Sequence, residues 1–402
     1  MFPAGPEFFA DPYRFYRMVW TASPILWRDS LFGIGGWVIT DYSVCSAGLR
    51  SKLFIKEGHR ILSPEQIAKI PAEAQPDVTE RRRRNMLFRD PPDHTRLRSL
   101  VSQAFTPRMV EQLRPRIEAI ATELVEAALA KPDIDLIRDV AFPLPIIVIA
   151  EMLGVPPEDR NQFKAWSTDT TNVINTTVTA EEMQQGARSL EALDHYLQRI
   201  IDQRRVSPRS DLISALIEAQ ESGDKLSNEE LVATCRLILT AGHETTVNLI
   251  GNGMLALLRH PEAIAAIKAD PSLLPNAVQE LLRFDSPVQL TTRFASEDTP
   301  LADGKVAKRG HLVMFLMGAA NRDPNHFAEP DRLDLRRENA HTHLSFGGGI
   351  HYCLGAPLAR LEGEIAIGTL LRQAPGIRLA ADQLTWRPHM VLRGLRSLPV
   401  AA

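Results

Sequence analysis

The stretch from Ser227 to Arg259 constrains this chain most. Ser227-Asn-Glu-Glu230 is a capping box, in which the serine and the glutamate three residues on satisfy each other's helix-end amides. Apolar residues then continue on nearly every side until His260-Pro261 ends the run. The pattern predicts a helix of roughly 30 residues, or about 45 Å at 1.5 Å per residue. A helix apolar all round belongs in the interior of a large domain. Its middle, Ala241-Gly-His-Glu-Thr-Thr246, breaks the pattern with a glycine and two β-branched hydroxyls. Glycine there costs about 1 kcal/mol against alanine, and threonines bend a helix by bonding back to a carbonyl one turn earlier. The break is either a tolerated imperfection or a functional feature held inside the core.

A second feature lies downstream. Gly347, Gly348 and Gly349 let the backbone turn tightly, Cys353 follows, and Leu354, Leu358, Leu361 and Ile365 recur at helical spacing behind it. Cys353 therefore sits where a loop feeds a helix N-terminus, whose unpaired N–H groups and partial positive charge favour a thiolate. A buried structural cysteine is the alternative. Phe346, Gly349, His351, Cys353 and Gly355 fit the pattern Phe-x-x-Gly-x-(Arg/His)-x-Cys-x-Gly. From this composition a chance match is expected on the order of 10⁻⁵ to 10⁻⁴ times. The loop resembles the haem-ligand loop of the cytochrome P-450 monooxygenases. Residues 241–246 likewise match that family's oxygen-activation motif, (Ala/Gly)-Gly-x-(Asp/Glu)-Thr-(Thr/Ser), at every position.

The resemblance covers residues from about 24 to 400, with motifs in family order. It implies one domain, residues 1–402, mainly α (α+β), with small β-sheets and haem b between the long helix and the Cys353 loop. Cys353 is then the axial iron ligand, with Ala241, Phe346 and Gly347 against the haem. Thr245 hydrogen-bonds the oxygen being activated and Glu244 relays protons. The reaction is insertion of one atom of O₂ into a small hydrophobic substrate, similar to that of bacterial members acting on macrolides, fatty acids or terpenoids. Electrons come from NAD(P)H through a ferredoxin reductase and a ferredoxin. Two rival readings remain. A peroxygenase of the same fold carries Arg-Pro in place of the acid–alcohol pair, and a haem sensor or electron carrier needs a second axial side chain. His243 reads as a helix-surface residue rather than that second ligand.

Composition narrows the class. The 402 residues are 44% hydrophobic and 24% charged, ordinary for a protein with a large core. A net charge of −3 gives no reason to expect a nucleic-acid partner. Cys45, Cys235 and Cys353 are far apart and odd in number, which fits a reducing cytoplasm better than a disulfide framework. No basic leader precedes an apolar run near Met1, and no stretch reaches about 18 uninterrupted apolar residues, so no membrane anchor is expected. No Gly-x-Gly-x-x-Gly follows a strand, so no fused flavin reductase is expected either.

The remaining sites follow in chain order. Residues 24–27 and 36–40 read as a hairpin. The run Arg81–Arg84 reads as a solvated turn of helix. Asp90-Pro-Pro-Asp opens a helix with His94 and Arg98 on one face, which alone would suggest a solvated surface. The resemblance instead aims both at a haem propionate, together with Arg293 and His351. Helices are expected over 110–131 and 146–154, then two more over 158–205 joined by the Thr/Asn-rich link at 170–179, which the resemblance makes a lid. Glu280, Arg283 and Arg332 match the family's structural Glu-Arg-Arg network, with Leu333 where Phe is common. Val288, Leu290 and Val391, the last in a turn at 390–394, should line the substrate pocket.

Overall fold

The computed structural model describes residues 5–70, 85–172, 179–221 and 226–402. The arginine run at 81–84 and the centre of the Thr/Asn-rich link, 173–178, lie outside the described residues. Among the described residues, nine helices position the site: α1 Tyr42–Arg50, α2 Asp93–Ala104, α3 Arg114–Leu129, α4 Pro143–Met152, α5 Arg160–Asn172, α6 Ala180–Val206, α7 Asn228–Leu258, α8 Leu274–Phe284 and α9 Ala356–Gln373. Beside them stands a sheet of β1 Ile25–Leu31, β2 Ile34–Ile39, β3 Phe54–Ile55, β4 Thr291–Ala295 and β5 Leu312–Phe315. Its strand order is β1-β2-β5-β4-β3, with only the β2–β5 pair parallel. The family fold expected from the sequence, mainly helical with small sheets, is what forms.

The long helix is α7, and it spans 31 residues. Its capping box closes as expected: the Glu230 amide donates to Ser227 Oγ at 3.1 Å and the Ser227 amide to the Glu230 carboxylate at 2.8 Å. Helices α4, α5, α6, α8 and α9 pack around it, so one cluster of buried apolar side chains runs through all six. The sheet carries two smaller clusters, one on each face, because alternate residues such as Met314 and Phe315 point to opposite sides. Thr291 and Arg293, two apart on β4, share one face.

Prolines move the expected boundaries. The helix expected over 110–131 divides into Pro107–Gln112 and α3, with Pro115 in the first turn of α3. The one expected from 146 begins at Pro143, because Pro143 and Pro145 occupy first-turn positions where a missing N–H costs nothing. Helix α5 extends to Asn172, and Thr179 caps α6 through a second capping box with Glu182. Among the described residues, no helix is long and apolar enough to cross a membrane.

Candidate active site

The Cys353 loop hangs from α8 and α1. Ser345 Oγ donates to the Leu282 carbonyl at 2.7 Å, and the Asn321 side chain takes the Leu344 amide at 2.6 Å while donating to Ser345 Oγ at 2.9 Å. The Cys353 amide closes the loop onto Phe346 O at 2.9 Å. Gly349 is required twice over: its φ is +62°, and a Cβ there would stand 2.6 Å from the Leu49 carbonyl at the end of α1. Cys353 is half-buried, whereas Cys45 and Cys235 are fully buried. Burial pushes its thiol upward, opposed by the Gly355 and Ala356 amides and the charges of Arg98 and Arg360. The helix N-terminus thus does not by itself win against desolvation, contrary to expectation. A metal ligated there would deprotonate the thiol outright.

Between its two ends, helix α7 is buried on all sides except around its polar break, from Leu237 to Thr245. Ala241 is exposed and Gly242 and Thr245 are half-buried, between Leu239 and Val247, which are sealed. Thr245 and Thr246 donate back to Ala241 O and Gly242 O at 2.8 and 2.9 Å, so the expected bending bonds form. Gly242 has a packing role. A Cβ on it would come within 2.8 Å of Ile149 on α4, so it allows helix packing, while Ala241 leaves the open side clear. His243 is also not a surface residue: it is fully buried, with Nδ1 3.3 Å from Ser167 Oγ and its ring edge-on to Phe142. On a helix enclosed by others, a polar residue goes inside with the rest. Glu244 is buried and paired with Arg387 from the C-terminal turn, a partner that no local pattern announces.

The expected propionate cations come together. The His94 and His351 rings lie 4.4 Å apart, and neither His94 Nδ1 nor His351 Nε2 has a hydrogen-bond partner among the described residues. Arg293 is buried and donates to Thr291 Oγ1 at 2.9 Å and Thr292 O at 2.8 Å. Arg98 stands near enough to Cys353 to feel its charge. Lys56 joins them unannounced. The acid beside them, Asp90, spends both oxygens on the backbone amides of Lys56 and Glu57 at 2.7 to 3.0 Å. Every basic group in the cluster is driven toward its neutral form, by burial first. Arg293 falls to about 10, His94 and Arg98 fall, and His351 falls well below its usual range, with Arg293 and Lys56 adding repulsion to the effect of burial. Buried positive charge without a counterion costs several kcal/mol, so the cluster needs anions from outside the chain. The two carboxylates of a haem, with iron at Cys353, fit that need.

A second buried ionic cluster braces the loop from behind. Arg283 grips Glu280 with two bonds of 2.7 and 2.8 Å, both side chains being fully buried, and donates on to Asn321 O and Pro330 O at 2.9 Å. The third arginine is not the one expected. Arg332 is 65% exposed and pairs with Glu329, lending the network only its carbonyl. Arg337 fills the place, with Nε 3.1 and 3.2 Å from the Glu280 oxygens. Near the pocket, the turn at 390–394 lies against the 287–290 segment: the Gln289 amide donates to Val391 O, and the Arg393 amide to Pro287 O, both at 2.8 Å. Leu290, Met390 and Val391 share one apolar cluster. Val288 does not join it; it packs against the cluster on the other side of the sheet, to which Ile39, Phe315 and Leu344 belong.

Residues 64–373 match the family model described as Cytochrome P450. Cytochrome P450 CYP107DY1 of Priestia megaterium is 44% identical, across 99% of this chain and 97% of its own. The cytochrome P450 monooxygenase PikC of Streptomyces venezuelae is 42% identical, across 98% and 92%. The crystal structure of P450BioI in complex with an acyl carrier protein ligated to hexadec-9Z-enoic acid superposes with a TM-score of 0.88 at 40% identity, covering 98% of this chain and 99% of that one. A family match over most of the chain, and relatives of nearly its full length that are named as monooxygenases or hydroxylases, make it a member of the cytochrome P450 family: a haem-iron monooxygenase that takes electrons from redox partners.

Proposed function

We propose that this enzyme uses haem b to insert one atom of O₂ into a C–H or C=C bond of a small hydrophobic molecule. Its electrons come from NAD(P)H through a ferredoxin reductase and a ferredoxin, and residues 1–402 work as one domain. The observation that carries this reading is the hydroxyl of Thr245 on the open stretch of a sealed helix, with the buried carboxylate of Glu244 next to it in the chain. Haem, when bound, supplies the iron at which dioxygen is reduced, and a thiolate ligand favours O–O cleavage.

The chain's own residues do the rest. Cys353 offers the thiolate, and the Gly355 and Ala356 amides moderate the charge on its sulfur. His94, Arg98, Arg293 and His351 hold the carboxylates, while Ala241, Phe346 and Gly347 flank the ring. The Thr245 hydroxyl rests its proton on Ala241 O and must swing away from that carbonyl to donate into the cavity. Glu244 restores the proton. Its partner Arg387 is 29% exposed, so the pair reaches from the core to solvent, and a proton passes inward when the pair loosens. Leu290, Met390 and Val391 give the pocket an apolar wall that selects hydrophobic substrates. Three free cysteines fit a reducing cytoplasm.

Thr245→Ala tests this. The change keeps the helix and improves its propensity, so folding and haem content should survive. NAD(P)H consumption should continue while product per NAD(P)H falls several-fold and hydrogen peroxide rises. Peroxide supplied directly should restore part of the product. An unchanged ratio of product to NAD(P)H would make Thr245 a core threonine and remove the proposed relay.

A further inference from the structure

Lys56 follows β3 and stands beside the cations already described, yet no motif points to it. Its Nζ donates to Thr291 Oγ1 at 3.1 Å, and the same hydroxyl accepts from Arg293 Nη1 at 2.9 Å. One threonine oxygen therefore holds an ammonium and a guanidinium side by side. The lysine backbone is fixed as well, because its amide donates to both Asp90 oxygens at 3.0 and 2.9 Å. Asp90 in turn leads into α2, which carries His94 and Arg98. Among the described residues no carboxylate pairs with Lys56 Nζ; Asp90, the acid beside it, is spent on backbone amides.

An ordinary lysine on this segment extends into water, as the exposed Lys52 does. Lys56 instead turns inward, next to a cation that repels it. Burial and then Arg293 drive its amine well toward the neutral form, against the pull of Asp90. Among the described residues, no acid pairs with the amine to compensate for that arrangement. An anion set against the Thr291 hydroxyl would, since both donors converge there and ionised partners make the stronger hydrogen bonds.

We infer that Lys56 and Arg293, aligned by Thr291, clamp one carboxylate of the bound haem, so that the lysine is a fifth cationic contact to the cofactor. The inference rests on the haem reading above. A carboxylate at this place has two sources, the haem edge or an acidic substrate. The neighbouring Arg293 and His351 favour the haem edge.

The test uses ferric, haem-loaded protein and follows haem transfer to excess apomyoglobin by absorbance. Lys56→Met keeps the stem and removes the charge, and it should speed transfer about fivefold or more at low ionic strength. Lys56→Arg restores a cation and should lie within about twofold of wild type. Lys52→Met should match wild type. Transfer in Lys56→Met equal to wild type would overturn the inference. So would equal acceleration in Lys56→Met and Lys56→Arg, which would mark a site of shape rather than charge. Unchanged haem transfer with weakened binding of dodecanoic acid, but not of dodecanol, would assign the clamp to substrate and equally overturn it. A wild-type protein that takes up no haem at all would instead sink the functional reading beneath it.

Discussion

Two clusters of charge adjoin the Cys353 loop, one fully buried around Glu280 and one partly buried around Arg293, and they are built on opposite principles. Around Glu280, two guanidiniums meet one carboxylate, and the surplus donors end on the carbonyls of Asn321, Ala328, Pro330 and Arg332. That cluster satisfies itself. Around Arg293, by contrast, two arginines, a lysine and two histidines gather about one acid already committed to backbone amides. A self-satisfied ionic cluster belongs to the architecture. One with charge of a single sign left over is a binding site, and the sign names the ligand.

The largest effect should come from opening the closed cluster. Arg283→Ala leaves Glu280 as a buried, half-paired anion, a lesion of about 3–5 kcal/mol. Denaturant unfolding of the haem-free protein should show that loss. Arg332→Ala, which removes only an exposed pair with Glu329, should stay within about 0.5 kcal/mol. Equal losses in the two variants would restore Arg332 to the network and remove Arg337 from it.

The same operation on the open cluster should act the other way. Arg98→Ala with Arg293→Ala removes cations that repel their neighbours, so the haem-free protein should change by less than about 1 kcal/mol or gain stability. Haem retention should fall by more than about tenfold on gel filtration. A double variant that unfolds without haem yet holds haem normally when folded would erase the distinction between the clusters.

Glu362 sharpens the contrast further, as a buried acid with no hydrogen-bond partner among the described residues. Burial alone pushes its carboxyl up to about 8, from an ordinary 4.5. The folded chain therefore keeps a proton that the unfolded chain gives up, and stability falls as pH rises from about 4.5 to 8. Glu362→Gln removes this slope. Its Tm relative to wild type should rise by a few degrees between pH 5 and pH 8. A constant difference across that range would mean the carboxylate is ionised and paired in the fold.

What the sequence disclosed, and what it hid, divides along the same physical line. Local chemistry announces itself: the capping box of α7, the glycines that admit Leu49, and His94 and Arg98 one turn apart on α2. Partners brought in from far along the chain do not. Lys56 meets Thr291 across 235 positions, Arg387 meets Glu244 across 143, and Arg337 meets Glu280 across 57. No spacing rule connects such pairs. Arg332 stands in the expected motif, but the chain turns there, and Arg337 comes round to Glu280 instead. His243 departs from expectation for a different reason: it is polar, but the helix that carries it is enclosed by others at that point.

Both clusters are proposed to serve a haem bound through the thiolate of Cys353, and carbon monoxide reports that bond directly. Ferrous protein saturated with carbon monoxide should show the strongly red-shifted Soret band of a thiolate-ligated haem. Cys353→His should abolish that band, while Cys45→Ser and Cys235→Ser, at sealed sites within the core, should keep it. A wild-type spectrum like that of a histidine-ligated globin, or a red-shifted band that survives Cys353→His, would contradict the account.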